Sequence, residues 1–301
     1  MTSDLPALVR AAAAVLADAG VASPRPDAET LAAHVLGVDR LNLILPPPVP
    51  PGFAGAYAEL VDRRRRREPL QHLTGRVTFR YLDLLVRPGV FVPRPETEVV
   101  AQVAIDAARG VARPLVVDLC TGAGGLALAV ATEVPASRVW AIDRSREAVR
   151  LTTTNAARVG ASPSVVVGDV RDPTLLGELT GRVDVVVSNP PYIPPDAVPV
   201  DPEVRDHDPE LALYGGGPDG LAVPGAVIAA AARLLRPGGL LVMEHADVQG
   251  PRTRRLAAAG GAFTGVHTRP DLTGRDRMLV ATRAGTGCRG ETGAADGVGD
   301  Y

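Results

Sequence analysis

The sequence predicts an α/β protein: a doubly wound, Rossmann-like sheet preceded by a helical bundle, with a β-hairpin joining the two. Three observations predict it. Helical periodicity fills roughly the first 70 residues, and a short β-rich stretch follows. From Glu96 onward, five short apolar runs (LVVDLC, RVWAID, SVVVGD, DVVVSN and LLVMEH) alternate with helical stretches. Four of the five end in or beside an acidic or amide residue. That puts polar groups at the carboxyl ends of strands, where open α/β sheets bind their ligands.

The elements follow in order. LPALVRAAAAVLADAGV and PDAETLAAHVLGV space their apolar residues three and four apart, with Gly20 and Gly37 as stops. Pro46–Gly52, PPPVPPG, can be neither helix nor central strand. FAGAYAELVDRRRRREP is a further helix ending before Pro69. VTFRYLDLLVRPGVFV alternates and is rich in β-branched and aromatic residues, so residues 76–92 read as a hairpin. The predicted domains are a helical one over 1–74, a hairpin linker over 75–92, an α/β domain over 93–285 and a disordered tail over 286–301.

Composition removes several function classes. The 301 residues are 46% hydrophobic with a net charge of −2, so the chain buries a sizeable core and shows no basic field for nucleic acid. It contains no lysine, which excludes a P-loop lysine and a Schiff-base lysine. Aromatics at 3% argue against a base-stacking platform. Cys120 and Cys288 form no disulfide framework and, without a Cys/His cluster, no zinc site. With no membrane-length apolar run and no convincing signal peptide, the expectation is a cytoplasmic protein without a membrane.

Strand LVVD runs into Leu119–Gly125 and then the helix LALAVATEV. Glycines let this loop turn tightly and approach a ligand. The next strand ends at Asp143, roughly 20 residues on, where a carboxylate suits ribose hydroxyls. The third ends in Gly168–Asp169, placed to border an adenine. Asp143 also reads as a helix cap and Asp169 as a turn residue. NAD and S-adenosylmethionine (SAM) sites share this much. Asp118, which can pair with the amino-acid end of SAM, and a glycine motif shorter than the pyrophosphate-binding one favour SAM.

Asn189–Pro190–Pro191–Tyr192 closes the fourth strand and offers neither nucleophile nor base. A sulfonium donor needs neither. What needs help is a planar NH₂ acceptor with a delocalised lone pair. The Asn189 side-chain carbonyl and the Pro190 backbone carbonyl can each accept one N–H and aim the nitrogen. The same oxygens meet the charge that develops on it. The prolines hold the loop in one shape, and Tyr192 gives a flat face. This chemistry leaves adenine and glutamine amide equally open.

PLQHLTGRVTF (Pro69–Phe79), FVPRPETE (Phe91–Glu98), DLCTGAGGLALAVA (Asp118–Ala131), SNPPYI and GRDRMLVAT (Gly274–Thr282) together resemble the release factor glutamine methyltransferase family, PrmC/HemK, across nearly all of residues 1–283. The resemblance implies a class I SAM-dependent methyltransferase domain over 93–285 and a substrate-recognition role for residues 1–74. It implies methyl transfer to N5 of the glutamine in the GGQ motif of class I peptide chain release factors. It implies SAM at Asp118, Cys120, Thr121, Gly122, Ala123, Gly124, Asp143, Asp169, Val170 and Asn189, and the substrate glutamine at Asn189, Pro190, Pro191 and Tyr192. Cys120 stands where the family has glycine, so a left-handed backbone there is strained. Val170 stands where the family is commonly aromatic.

Other features admit plainer readings. Arg63–Arg67 spreads round a helix, so most of it faces water, with an acidic patch on the partner as the alternative. Arg94 enters a helix or reaches a carboxylate. Glu244–His245 resembles a catalytic pair but reads better as strand-end residues bordering the pocket. The competing functions are glutamine methylation of a ribosomal protein, adenine N6 methylation of nucleic acid, and SAM binding without catalysis. Near-neutral charge and the lack of a target-recognition domain oppose nucleic acid. A mere binder has no use for Asn189 and Tyr192.

Overall fold

The computed structural model describes residues 4–285, so the Gly-rich tail read over 286–301, with Cys288, lies outside the described residues. Helices α1 (Leu5–Asp18), α2 (Pro24–Leu36), α3 (Phe53–Arg65) and α4 (Leu70–Thr74) come first. Their apolar stripes (Leu5, Val9 and Leu16; Ala28 and Leu31; Phe53 and Tyr57; Leu73) meet in one core. Gly37 closes α2 in the left-handed conformation, as its position in the sequence predicts.

Strands β1 (Arg76–Phe79) and β2 (Leu82–Leu85) form the antiparallel hairpin. It is shorter than the predicted span: pairing stops at Leu85, and residues 86–96 run as coil and turns. Pro88, Pro93 and Pro95 lack the N–H that a ladder needs, which accounts for the early stop.

The remainder builds one seven-stranded sheet. In chain order come α5 (Thr97–Arg109), β3 (Leu115–Leu119), α6 (Gly125–Glu133), β4 (Arg138–Asp143), α7 (Arg146–Val159), β5 (Ser164–Val167), β6 (Val183–Ser188), α8 (Pro202–His207) and α9 (Glu210–Leu213). They are followed by α10 (Ala222–Leu234), β7 (Leu235–Glu244), α11 (Gly250–Ala259), β8 (Phe263–Pro270) and β9 (Asp276–Arg283). The strand order is β5-β4-β3-β6-β7-β9-β8. The first five run parallel, and β9 and β8 add an antiparallel edge. β3 and most of β6 are buried, as their unbroken apolar runs require when helices cover both faces.

The chain order reverses between β3 and β6, neighbours whose last rung pairs Leu119 with Ser188. The Ser188 hydroxyl donates to the Leu119 carbonyl at 2.6 Å. The Gly-rich loop after β3 and the Asn-Pro-Pro-Tyr loop after β6 therefore emerge side by side.

The arginine run does not lie mostly in water. Arg64 is 4% exposed. Its guanidinium donates to Asp27 at 2.7 Å, to the Glu68 carbonyl at 3.1 Å and to Glu203 at 2.8 Å. Arg67 reaches Glu203 at 3.0 Å and the Gly20 carbonyl at 2.8 Å. Arg63 pairs with Glu68, and Arg65 and Arg66 with Asp62. The inward face of α3 thus carries a clasp from the helical module to α8. Only Arg65 and Arg66 keep the outward role expected of most of the run.

Candidate active site

The loop after β3 is shaped by side chains behind it. Gly124 has φ +92°, and a β-carbon there would sit 3.0 Å from Leu128 and Thr152. Thr152 donates to the Gly122 carbonyl at 2.9 Å. Asn155 is fully buried and donates to the Ala123 carbonyl at 2.9 Å while exchanging two hydrogen bonds with the Leu85 backbone. This one amide holds the hairpin against the loop. Nothing in the sequence singles it out, because a polar residue on a helix usually faces solvent.

Cys120 has φ +64°, so the strain expected of a non-glycine residue is present. Burial and the nearby Asp143 and Asp118 carboxylates push its thiol up, which favours the protonated form. Relief of the strain gives an expected outcome. Cys120→Gly raises stability by about 1 kcal/mol, once glycine's greater unfolded-state freedom is set against the left-handed penalty. A denaturant midpoint equal to or below the parent's would contradict it.

One cleft is lined by Cys120, Thr121, Gly122, Ala123, Asp143, Asp169, Val170, Asn189, Pro190, Pro191 and Tyr192. Of the residues assigned to cofactor and acceptor, the cleft is lined by all but Asp118 and Gly124. Gly124 turns the loop from behind. Asp118 is fully buried beneath it. Its Oδ2 accepts from the Thr121 hydroxyl at 2.6 Å and from the Ala127 N–H at 3.1 Å. Its Oδ1 is buried without a partner among the described residues. Direct pairing of Asp118 with a ligand is thus corrected to a supporting role under the loop. Burial pushes its carboxyl up to about 7.

Asp143 ties the loop after β3 to the start of α7, whose cap is Ser145. Oδ1 accepts from Ser145 N at 2.8 Å at the entry to α7, and Oδ2 accepts from Gly122 N at 2.9 Å. Its remaining lone pairs are available to the cleft. Asp169 binds its own loop through Arg171 N at 2.9 Å and the Arg171 guanidinium, which holds its carboxyl down to about 2. Val170 is partly buried against the core under this end of the sheet.

The loop after β6 is held from three sides. Asn189 Nδ2 donates to Thr97 Oγ1 at 3.2 Å, and the Thr97 hydroxyl donates to Glu244 Oε2 at 2.7 Å. Gln249 Nε2 donates to the Tyr192 carbonyl at 2.8 Å. Among the described residues no donor engages the Pro190 carbonyl. On the far side lie Gly215 and Gly220. A β-carbon on Gly215 would stand 2.6 Å from the Pro191 carbonyl oxygen, and one on Gly220 2.3 Å from that of Tyr192. Sequence reading missed both glycines and Gln249. The run GGGPDG was the available signal, since three adjacent glycines point to close backbone approach.

Arg94 lines the cleft, lies over the Phe91 ring at 4.9 Å and pairs with Asp208. Glu244 and His245 are 1% and 0% exposed. They lie behind the pocket wall rather than on it, which corrects their predicted place. Tyr192 is pushed up by burial and by Glu244 and stays a neutral phenol.

The chain is similar to known proteins over most of its length. Residues 7–75 match the PrmC N-terminal domain and residues 82–200 the Methyltransferase small domain. A release factor glutamine methyltransferase of Mycolicibacterium smegmatis is 51% identical over 276 residues, 91% of this chain and 96% of its own. One from Streptomyces coelicolor is 50% identical over 272 residues, 89% of this chain and 94% of its own. A solved release factor-specific protein-(glutamine-N5) methyltransferase from Alicyclobacillus acidocaldarius is 26% identical, with a TM-score of 0.41 over 64% of this chain and 95% of its own. The fold is that of a class I SAM-dependent methyltransferase carrying an N-terminal helical domain. The chain belongs to the release factor glutamine methyltransferase family.

Proposed function

We propose that the chain transfers a methyl group from SAM to N5 of the glutamine in the GGQ motif of class I peptide chain release factors. Membership of the family carries the choice of glutamine over adenine, and the pose of Asn189 carries transfer to a planar NH₂. The Asn189 NH₂ is tied to Thr97, which leaves Oδ1 toward the cleft beside the unengaged Pro190 carbonyl. Two acceptors on one rigid loop match the two N–H bonds of a primary amide.

The cleft suits SAM. Gly122, Ala123, Asp143 and Val170 would hold it, with Asp143 lone pairs suited to ribose hydroxyls, and a β-carbon at Gly122 would meet only open space. Bound there, the cofactor supplies a methyl on a positively charged sulfur, whose bonding pair leaves with the sulfur. Asn189 and Pro190 orient the acceptor nitrogen, and Tyr192 supports the amide plane. The nitrogen forms the new bond with its lone pair and loses one proton to solvent, giving a neutral N-methylamide. No strong base is required.

Residues 1–74 recognise the protein substrate, 75–92 join the parts and 93–285 carry the chemistry. Among the described residues no helix is long and apolar enough to cross a membrane, and release factors are cytoplasmic substrates, so the enzyme works in the cytoplasm on protein rather than nucleic acid. The test offers methyl-labelled SAM with a class I release factor, the same factor with its GGQ glutamine replaced, or duplex DNA. Label on the unaltered factor alone is expected. Label on the altered factor, or on DNA, would sink the reading.

A further inference from the structure

Glu244 contributes nothing to the wall of the cleft, yet it is 1% exposed directly behind Asn189. Thr97, itself 5% exposed, separates the two. A threonine hydroxyl has one proton. In the structure that proton goes to Glu244 Oε2 at 2.7 Å, so the same oxygen can only accept from Asn189, and does so at 3.2 Å. The direction of the chain follows: a carboxylate accepts, threonine donates to it, and asparagine donates to threonine. The Asn189 amide then has one orientation, NH₂ inward and carbonyl outward. A neutral group at position 244 has both a proton to give and an oxygen that accepts, so it no longer fixes the direction and admits the reverse one. In the reverse direction Thr97 accepts from it, donates to Asn189 Oδ1, and turns the asparagine NH₂ toward the cleft, where it faces the NH₂ of the acceptor donor to donor.

We propose that Glu244 is a positioning residue for methyl transfer: its carboxylate, acting through Thr97, sets which end of the Asn189 amide meets the acceptor. The proposal rests on the function argued above and adds a part of the machinery that never touches substrate.

The charged and titratable groups facing Glu244 are Arg277 on β9, Glu96 just before α5, and Tyr192 on the motif loop. Burial outweighs the attraction of Arg277, and Glu244 is pushed up to about 7. The sign follows: the productive direction is enforced above that pH, and the enforcement is lost as pH falls through it.

The test compares the parent protein with Glu244→Gln, Thr97→Val and Thr97→Ser at saturating SAM and release factor. Glu244→Gln loses about tenfold or more in kcat, with SAM affinity and thermal midpoint unchanged. Thr97→Val loses a similar factor and Thr97→Ser retains activity. The parent's kcat falls as pH drops through about 7, and this limb is missing in Glu244→Gln and Thr97→Val. Parent-like kcat in Glu244→Gln overturns the proposal, as does a loss that only follows SAM affinity or folding. A second measurement needs no acceptor. The Asn189 side-chain NH₂ resonance, identified by its absence in Asn189→Ala, shifts with the Glu244 titration in the parent and not in Thr97→Val. No shift in the parent overturns the relay whatever the substrate. Failure of the parent to label release factor, with that shift present, strikes the functional reading instead.

Discussion

Asn189→Ala is expected to lower kcat on a release factor by about a hundredfold or more while leaving SAM affinity nearly intact. The magnitude is that of removing one preorganised partner of developing charge. The split between rate and binding follows from the geometry. The side of the cleft proposed for the cofactor is built by the loop after β3 and by Asp143, whose own hydrogen bonds do not involve Asn189. Alanine removes the Oδ1 acceptor and also leaves Thr97 Oγ1 without its donor. The acceptor nitrogen then keeps one guiding carbonyl, that of Pro190, and can rotate about it. Asn189→Asp fails for a second reason, since a carboxylate cannot donate to Thr97. Single-turnover kinetics beside calorimetric SAM titration separates the two quantities. A loss of affinity as large as the loss of rate would count against the role given to this side chain.

The second large effect concerns stability. Arg64→Ala leaves Asp27, 6% exposed, without the charge that compensates it, while Glu203 keeps Arg67. Removal of one partner from a buried pair costs about 3–5 kcal/mol. Arg65→Ala and Arg66→Ala touch only the exposed Asp62 pair and cost less than about 1 kcal/mol each. Urea midpoints of the three variants should separate accordingly. The double variant Arg64→Met with Asp27→Leu should recover most of the loss, because an apolar pair of similar volume avoids the desolvation cost. Equal midpoints for Arg64→Ala and Arg65→Ala would show that the clasp contributes nothing.

The helical module, the five parallel strands and both cleft-lining loops were legible because each is written locally. Apolar runs with polar ends mark buried strands, and Gly-rich or Asn-Pro-Pro-Tyr segments mark what those strands deliver. What escaped was set by distant partners. Arg64 reads like its four neighbours until Asp27 and Glu203 fold against it, 37 and 139 residues away. Asn155 gains its meaning from Leu85, and Gln249 from Tyr192. Asp118 was misplaced because an acidic strand end looks the same whether it opens on a ligand or on the underside of a loop. The edge strand β8 was also unread; its burial is mostly partial or absent, so it carries little apolar signal.

The glycines at 215 and 220 have a consequence for redesign. With a β-carbon of either only 2.6 Å or less from a carbonyl oxygen of the catalytic loop, the partition between the two is one backbone thick. No side chain can be introduced there to push the loop toward a different acceptor without moving the main chain itself. Selectivity for the group to be methylated can be altered from the open face of the cleft, or by shortening and lengthening the loops, but not through that wall.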